Sequence, residues 1–424
     1  MSRNQVTFRT VPVVAAALVA WVLAVSPMPA AGASQTAPSA NDPAARVATR
    51  APTTIAPGVT YQRIVDKTIH VRYYVLRFDP LGGASLKAVP AGTRLPAMSK
   101  TVPLLKNANA VAGINGDFFA VRRSPQHAFA TDGDLLQTRV GGGSNELLGI
   151  TSPGVVPHVG TTRVQIVLDD PTHLSSWPID YWNQGGGDPP FSLGSDEVAG
   201  YTPYGGDKAV PPGQACSARL INPSGPSWVD PAHSGITRSY TVEEVACADS
   251  AMLRQGGTVL SALRSGSVAA EISTLTPGTA VSLTWSLKGW SGITGVIGGN
   301  PLIVENGQNT VDQAPCSLPK PPPPPYMLCV PNARTGVGQA ADGTIILVVV
   351  DVGFQSKGLK LYSFAELFRS LGAVNALNLD GNGSSRMWVN GTTVNQVGDP
   401  KRQVSSALAI LKGPDPNLPI ALAP

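Results

Sequence analysis

Glycine and proline recur at short, irregular intervals along the whole chain, and this spacing limits the possible folds more than any other feature. The 424 residues include 45 glycines and 39 prolines. Because they follow no period, they exclude a collagen helix and a simple solenoid. The segments between them are short runs of Val, Ile, Thr and Tyr, which favour strands. We therefore expect an α+β fold with strand-rich mixed sheets and a few flanking helices.

The N-terminus has the layout of a secretory signal peptide over residues 1–33. Arg3 and Arg9 precede an uncharged apolar run at residues 11–25, and small residues follow up to Ala33. We predict cleavage after Ala33, because small residues precede a signal-peptide cleavage site. The apolar run is shorter than the roughly 20 residues of a membrane span; an uncleaved N-terminal anchor is the alternative. The protein is therefore expected to be secreted, in the extracellular space or the cell envelope, with no membrane span after cleavage.

The remaining chain divides into three parts by composition. Residues 34–57 are rich in Ala, Pro, Ser and Thr and are predicted to form a flexible tether, since they offer little apolar surface to bury. Residues 58–413 are long enough for one large domain or two closely packed ones and are assigned as one, and residues 414–424 are expected to form a C-terminal tail.

The four cysteines favour disulfides over a metal site or a catalytic thiol, because their number is even and the chain is predicted to be exported. Three connectivities are open. We favour Cys216 with Cys247 and Cys316 with Cys329, since the second pair would close the proline-rich segment 319–325 into a loop.

Charge and residue spacing argue against several classes of function. The formal net charge is +4 with only 14% charged residues and no basic stripe, so nucleic acid is not an expected partner. The five histidines lack the spacing of metal ligands, which argues against a zinc site. No serine lies in a nucleophile-elbow sequence, which argues against an esterase triad.

Short apolar runs predict individual strands along the chain. They lie at residues 73–78, 110–114, 164–168, 281–287 and 301–304. Residues 175–213 are instead rich in Gly, Pro, Asp and aromatic residues, a composition typical of long surface loops that line a groove or cover a sheet edge. The aromatic residues of this segment are Trp177, Tyr181, Trp182, Phe191, Tyr201 and Tyr204.

Two apolar runs near the C-terminus predict a strand-helix-strand unit. A β-branched run at residues 344–350 predicts a central strand buried on both faces, which ends at Asp351. A second buried run at residues 374–379 brings Asp380 to the carboxyl end of a strand, where sites commonly form in α/β units.

A helix is predicted between these strands, followed later by a hairpin. Ser363 and Glu366 have the spacing of a capping box, and Gly372 lies where the helix should end. After the second strand, Asn390-Gly391 separates two short strand-like runs, which is a strong hairpin signal.

The segment from 378 to 385 combines a carboxylate, two glycines and two hydroxyls in one tight loop. It reads Asn-Leu-Asp-Gly-Asn-Gly-Ser-Ser. Such a loop can direct several backbone N–H groups at one anion beside Asp380. It is also ordinary turn composition, and a calcium loop is a third interpretation, although the regular acidic spacing of an EF-hand is absent.

Four segments occur in the order shown by one known family, the phosphodiester glycosidases related to the lysosomal uncovering enzyme. They are Gly-Ile-Asn-Gly-Asp-Phe-Phe at 113–119, Gly-Gly-Asn-Pro-Leu-Ile at 298–303, Ala-Arg-Thr-Gly-Val-Gly at 333–338 and the 378–385 loop. On these residues the chain resembles that family over most of 60–411. The resemblance implies a phosphodiester glycosidase-like catalytic domain at 58–413 that hydrolyses the bond between a sugar's anomeric carbon and a phosphodiester.

Two positions depart from the family pattern, and both concern how the substrate fits. Asn382 stands where the family's last loop usually has a glycine, and Asn332 precedes Ala333 where other residues are common. The long proline-bearing insertion between Pro301 and Arg334 is also expected to reshape one wall of the cleft.

The resemblance implies three catalytic candidates. Asp380 and Asp117 are candidates because glycoside hydrolysis passes through an oxocarbenium-like state that a carboxylate can stabilise, attack or supply with activated water. We favour Asp380 for the principal role. Arg334 is the candidate for holding the phosphate charge, because its planar fork matches phosphate oxygens.

A second set of residues is expected to bind the substrate. It comprises Asn115, Gly116, Asn300, Thr335, Asp351, Gly383, Ser384 and Ser385. Asn115 is expected to assist Asp117 with water or a sugar hydroxyl, the 383–385 loop to supply N–H and hydroxyl donors, and Asp351 to orient Arg334 or hold a cation. No metal ligand or cofactor is assigned; a divalent cation such as calcium stays an open alternative.

Three functions remain open on the residues alone. The first is a secreted hydrolase acting on a glycan or sugar-phosphodiester substrate. The second is a glycosidase of the same scaffold whose substrate lacks phosphate. The third is a non-catalytic glycan-binding protein of the cell envelope, which would not depend on Asp380.

Overall fold

The structure is a computed structural model and describes residues 47–119, 123–138, 145–184, 193–205, 215–222, 235–248, 257–317 and 326–413. The predicted signal peptide, the first part of the tether and the C-terminal tail lie outside the described residues. Strands far outnumber helical turns in the described ranges, which confirms the expected α+β class.

The strands are numbered in chain order. Up to residue 182 they are β1 (Val47–Thr49), β2 (Thr53–Ala56), β3 (Val59–Asp66), β4 (Val71–Phe78), β5 (Ser85–Pro90), β6 (Ala110–Asn115), β7 (Phe129–Thr131), β8 (Asp134–Gln137), β9 (Asn145–Thr151), β10 (His158–Thr162), β11 (Val164–Asp170), β12 (Ser175–Pro178) and β13 (Tyr181–Trp182). After it they are β14 (Val198–Tyr201), β15 (Ala215–Ile221), β16 (Gly235–Ala248), β17 (Thr258–Leu263), β18 (Ala280–Leu287), β19 (Ile293–Gly299), β20 (Leu302–Glu305), β21 (Gln308–Asn309), β22 (Arg334–Ala340), β23 (Ile345–Val350), β24 (Ala373–Leu379), β25 (Met387–Val389), β26 (Thr392–Thr393) and β27 (Ser406–Leu411). The helices are α1 (Thr101–Asn107), α2 (Val268–Thr274), α3 (Tyr326–Cys329) and α4 (Leu361–Ser370).

These strands form four sheets. The largest has nine strands in the order β1-β3-β4-β23-β22-β24-β20-β21, with β2 also paired to β3. Two five-stranded sheets have the orders β26-β25-β6-β27-β5 and β10-β9-β19-β7-β8. The eight-stranded sheet, β12-β11-β18-β16-β15-β17-β14-β13, is built only from residues 164–287 and is inserted between β10 and β19.

The nine-stranded sheet is covered on both faces. On one face Leu347 and Leu377 share a core with Ile114 and Leu408 of the sheet that contains β6. On the other face α4 packs through Phe364 and Phe368. This explains the nearly uninterrupted apolar sequences of β23 and β24, since a strand buried on both faces has no solvent side.

The predicted strand-helix-strand unit is present, but its two strands are not neighbours. β23 pairs antiparallel with β22, and β22 pairs antiparallel with β24, so β23 and β24 run parallel with β22 between them. A glycine at 336 of β22 is required by α4, because a Cβ there would lie 2.8 Å from the Phe368 ring. The glycines of the 333–338 segment therefore serve packing.

For α4, the predicted capping box was wrong, whereas the predicted end of the helix was right. α4 begins at Leu361, two residues before Ser363, and its N-cap Lys360 makes no side-chain capping bond. Leu361 is fully buried, and this burial extends the helix beyond the local signal. Glu366 instead accepts a hydrogen bond from Asn309 Nδ2 at 2.7 Å. Gly372 has a φ of 92°, as expected just after a helix.

The predicted tether is too long at its C-terminal end. β1 and β2 both pair with β3, so residues 47–57 belong to the folded body, and strand pairing begins before residue 58. The β-branched pair Thr53 and Thr54 favours an extended backbone here. Ala56 is also buried.

Three of the aromatic residues of 175–213 were wrongly placed in surface loops, whereas Tyr204 lies in the turn Pro203–Gly205 and lines a cavity, as the groove interpretation predicted. Trp177, Trp182 and Tyr201 lie in β12, β13 and β14 and are buried. A large ring contributes enough apolar area to hold a short strand in a core even where few β-branched residues occur. Phe191 lies outside the described residues.

Two local predictions were right. The disulfides join Cys216 to Cys247, between β15 and β16, and Cys316 to Cys329. β25 and β26 form the predicted hairpin, with a positive φ at both Asn390 and Gly391. In the described ranges, no helix has the length and apolarity needed to cross a membrane.

Candidate active site

The ends of strands from two facing sheets converge at the residues singled out from the sequence. β22 begins with Arg334 and Thr335, and Thr335 pairs with Leu379 at the end of the neighbouring β24. Asp380 follows directly. From the other sheet, β6 ends at Asn115, and the Asp380 N–H donates to the Gly116 carbonyl at 3.2 Å. The 113–119, 333–338 and 378–385 segments therefore meet in space.

Asn115 is the centre of this junction. It is fully buried, and its Nδ2 donates to the Asp380 carbonyl at 2.6 Å. Its Oδ1 accepts from Thr335 Oγ1 at 2.9 Å and from the Arg386 N–H at 3.0 Å. Because the amide is engaged with the protein on both sides, the geometry supports a role in positioning Asp380.

Asp380 is the carboxyl group best placed to act on a substrate. It is 9% exposed, and its Oδ2 has no hydrogen-bond partner among the described residues. The pKa of Asp380 is raised to about 6, chiefly by burial and also by the nearby Asp117 charge, whereas a hydrogen bond from Ser384 and the charge of Arg402 oppose the shift. A buried carboxyl with one unpaired oxygen and a perturbed pKa is typical of a functional site.

Asp117 lies close to Asp380 but is held by the protein. It is fully buried; its Oδ1 lies 2.7 Å from His127 Nδ1, and its Oδ2 accepts from the His127 backbone N–H at 2.8 Å. An ionised carboxylate only accepts, so Nδ1 of His127 is the donor. Gly298 is required beside this pair, because a Cβ there would lie 2.1 Å from the His127 Cβ.

Arg334 is buried, and backbone carbonyls hold its guanidinium. Its Nε donates to Leu359 O at 3.0 Å and its Nη2 to Val330 O at 3.1 Å. Burial lowers the pKa of Arg334 to about 10. The group therefore fixes the chain around the start of β22, while its role toward phosphate stays a prediction.

Asp351 has its own set of partners. Tyr74 OH donates to its Oδ2 at 2.9 Å, and the Gln396 N–H donates to its Oδ1 at 2.9 Å. Burial raises the pKa of Asp351. Both oxygens accept from protein groups other than Arg334, and the predicted role of Asp351 in orienting Arg334 or holding a cation stays a prediction. Among the described residues, no cluster of three His, Cys, Asp or Glu could hold a metal ion.

The other predicted binding residues divide into buried and accessible groups. Ser385 is buried, and its Oγ lies at hydrogen-bond distance, 3.1 Å, from Thr335 Oγ1. Ser384 donates its backbone N–H to Gly381 inside the loop, so only its hydroxyl is directed at neighbouring side chains. Gly383 is half-buried, and Asn300 is exposed while its backbone pairs with Asn378. The binding roles of this set stay predictions.

Sequence reasoning missed several residues around Asp380. His127 was set aside because it lacks metal-ligand spacing, yet it lies ten positions after Asp117 and hydrogen-bonds its carboxylate. Arg402 was missed because it lies in no recognised segment; its Nε donates to Ser384 Oγ at 3.0 Å and its guanidinium lies over the Phe119 ring. The only sequence signal for this contact is the aromatic pair Phe118 and Phe119 that follows Asp117.

Replacing His127 with Phe is expected to destabilise the fold by about 3 kcal/mol, because it leaves a buried carboxylate without its side-chain donor. Urea unfolding measures this change. His158→Phe is the matched control: its ring stacks on Trp290 at 5.3 Å, a contact that Phe retains, so little change is expected. Equal stabilities for the two variants would contradict the importance of the Asp117–His127 pair.

Fold and site together define a strand-rich α+β protein with two neighbouring buried carboxyl groups at the ends of its sheets. Residues 233–411 match the family model described as phosphodiester glycosidase, a range that includes Arg334 and Asp380. This part of the chain is thus similar to the phosphodiester glycosidases, and the matched range contains three of the four segments on which the resemblance was predicted, 298–303, 333–338 and 378–385.

Individual relatives match over shorter stretches. A segment of 85 residues, 20% of this chain, is 39% identical to an uncharacterized prophage-derived protein of Bacillus subtilis and spans 13% of it. A segment of 89 residues, 19% of this chain, is 37% identical to mouse N-acetylglucosamine-1-phosphodiester alpha-N-acetylglucosaminidase and spans 17% of it. A hypothetical protein from Synechocystis shares the fold, with a TM-score of 0.60 at 18% identity, over 83% of this chain and 62% of that one.

Proposed function

We propose that this protein is an exported glycoside hydrolase that cleaves the bond between a sugar's anomeric carbon and a phosphodiester in envelope or extracellular glycans. The carrying observation is the Asp380 carboxyl, which is buried at a strand end with Oδ2 unpaired among the described residues. Relationship to the phosphodiester glycosidases supports the reaction class. The two disulfides support export, since such bonds persist in oxidising compartments.

In this reaction, stabilising the charges that develop on the sugar and on the phosphate matters more than protonating the leaving group. The oxygen of water forms a bond to the anomeric carbon and water gives up one proton to a base or to solvent. The bond between that carbon and the bridging phosphate oxygen breaks, and its electron pair stays on the oxygen. The departing phosphomonoester is already a stable anion. Catalysis therefore depends on stabilising the oxocarbenium-like carbon and on holding the phosphate.

Asp380 and Asp117 divide these tasks by their surroundings. Above pH 6 Asp380 is mostly ionised, because its pKa is raised only to about 6. Its Oδ2 is then a negative acceptor that can activate the water or attack the anomeric carbon. Both Asp117 oxygens are bonded to His127, so Asp117 contributes charge from a fixed position.

The test is release of reducing sugar from a panel of sugar-1-phosphodiesters by the oxidised protein, with and without calcium. Wild type should release sugar from at least one substrate, and Asp380→Asn should not. Asp342→Asn is the matched control, because Asp342 lies on the exposed turn between β22 and β23. Turnover limited to phosphate-free glycosides would overturn the phosphate assignment, and glycan affinity without any turnover would favour a binding protein.

A further inference from the structure

Arg402 is an exposed cation beside the Asp380 loop. Its Nε donates to Ser384 Oγ at 3.0 Å, and its guanidinium carbon lies 4.7 Å from the centre of the Phe119 ring. Ser384 in turn hydrogen-bonds the Asp380 carboxyl. Arg402 is thus connected to Asp380 through one hydroxyl.

The two contacts orient Arg402 without using its whole donor set. The cation–π contact holds the guanidinium over the Phe119 ring, and the hydrogen bond from Nε to Ser384 Oγ holds one edge of it. Among the described residues, no group accepts a hydrogen bond from either Nη atom. An arginine held in this way keeps a planar, charged fork available, and such a fork matches two oxygens of a phosphate.

Arg334 offers a different arrangement. It is 6% exposed, and it donates through Nε and Nη2 to the carbonyls of Leu359 and Val330. A substrate phosphate would have to displace those bonds to reach the same atoms. Arg402 needs no such displacement, because its side chain is exposed.

We propose that Arg402 is the phosphate-binding residue of the site, with Phe119 and Ser384 as the groups that position it. The substrate class is then a sugar whose anomeric oxygen is esterified to an anionic phosphodiester, with the sugar ring toward Asp380 and the phosphate toward Arg402. This inference rests on the proposed function and assigns the charge-holding task to one residue.

Charge growth during the reaction makes Arg402 more important at the transition state than in the ground state. A phosphodiester carries one negative charge, whereas the departing phosphomonoester carries about 1.5 to 2 at pH 7. Interactions that strengthen as charge develops raise the catalytic rate. Loss of the fork should therefore lower kcat as well as raise KM.

The experiment compares Arg402→Gln, Arg402→Lys and the control Lys401→Gln, a neighbouring exposed residue whose loss changes net charge equally. Each is assayed on a sugar-1-phosphodiester and on an uncharged aryl glycoside of the same sugar. Arg402→Gln is expected to lose about 100-fold or more in kcat/KM on the phosphodiester only. Arg402→Lys should recover part of this loss, and Lys401→Gln should match wild type.

The outcomes separate this inference from the proposed function. Sugar release by wild type with Arg402→Gln equal to Lys401→Gln would overturn the role of Arg402 and leave the function standing. An equal loss on the aryl glycoside would also overturn it, because the effect would then not concern phosphate. If wild type releases no sugar, inorganic phosphate binding by calorimetry decides: weakening by Arg402→Gln alone supports the anion site, and unchanged binding overturns it.

Discussion

Asp380→Asn is expected to lower sugar release by about 10³-fold, the scale of losing a positioned acid-base or nucleophilic group. Asn has nearly the same shape and can still accept the hydrogen bond that Ser384 gives to the carboxyl. It cannot ionise, accept a proton from water or attack the anomeric carbon. Progress curves on the best phosphodiester substrate measure the loss.

The same substitution should change how stability depends on pH. Burial raises the pKa of Asp380 from 3.8 to about 6, so between these values the unfolded chain has lost the proton and the folded chain retains it. The free energy of unfolding of wild type therefore falls as pH rises through this window. Asn lacks the titration, and the difference between variant and wild type should move in favour of the variant by about 3 kcal/mol.

Urea unfolding at pH 4 and pH 8 checks this expectation. Asp342→Asn again serves as the control, because hydrogen bonds from Thr344 lower the pKa of Asp342 and its pH dependence has the opposite sign. Parallel curves for wild type and Asp380→Asn between pH 4 and pH 8 would show that Asp380 titrates normally. The proposed buried carboxyl would then be wrong.

Activity should follow the same ionisation. With the Asp380 carboxylate as the active form, kcat/KM of wild type should fall about tenfold for each pH unit below a pKa of about 6. A profile that stays flat from pH 7 to pH 4.5, with folded protein throughout, would exclude Asp380 as the acting carboxylate.

The sequence predicted those elements that are determined by residues close together in the chain. The apolar run of β23 and the Asn390-Gly391 turn carry their own signals. Cys316 and Cys329 are 13 residues apart, so their pairing also needs little knowledge of the fold. The position of Asp380 could be predicted because the apolar run of β24 ends at Leu379, one residue before it.

Long-range pairings left no comparable signal. β22 forms a hairpin with β23, and its other edge pairs with β24, so it separates the two strands. Nothing in the sequences of β23 or β24 indicates that another strand lies between them. The bond between His127 and Asp117 depends on where the loop after β6 returns. Arg402 meets Phe119 and Ser384 from three separate loops. The predictable part of the site is therefore its strand ends, and the unpredictable part is what surrounds them.

Asn115→Ala is expected to destabilise the protein by about 3 to 5 kcal/mol, because three partners in a fully buried place lose a hydrogen bond together. The Asp380 carbonyl loses its donor, and the Arg386 N–H and Thr335 hydroxyl lose an acceptor. These partners lie in or next to strands of two different sheets, β22 and β24 in one and β25 in the other, so the substitution also loosens the junction that positions Asp380. Turnover should fall in variant protein that remains folded.

A matched control separates this junction from a general effect of losing an amide. Asn375 lies on β24, is half-buried, and accepts one bond from the Asn306 N–H at 3.0 Å. Asn375→Ala should cost less than about 1 kcal/mol and leave turnover unchanged, because water can replace that bond. If urea unfolding showed the same loss of unfolding free energy for both variants, Asn115 would have no special role in the junction. A larger cost for Asn115 with reduced kcat and little change in KM is the result that a positioning role requires.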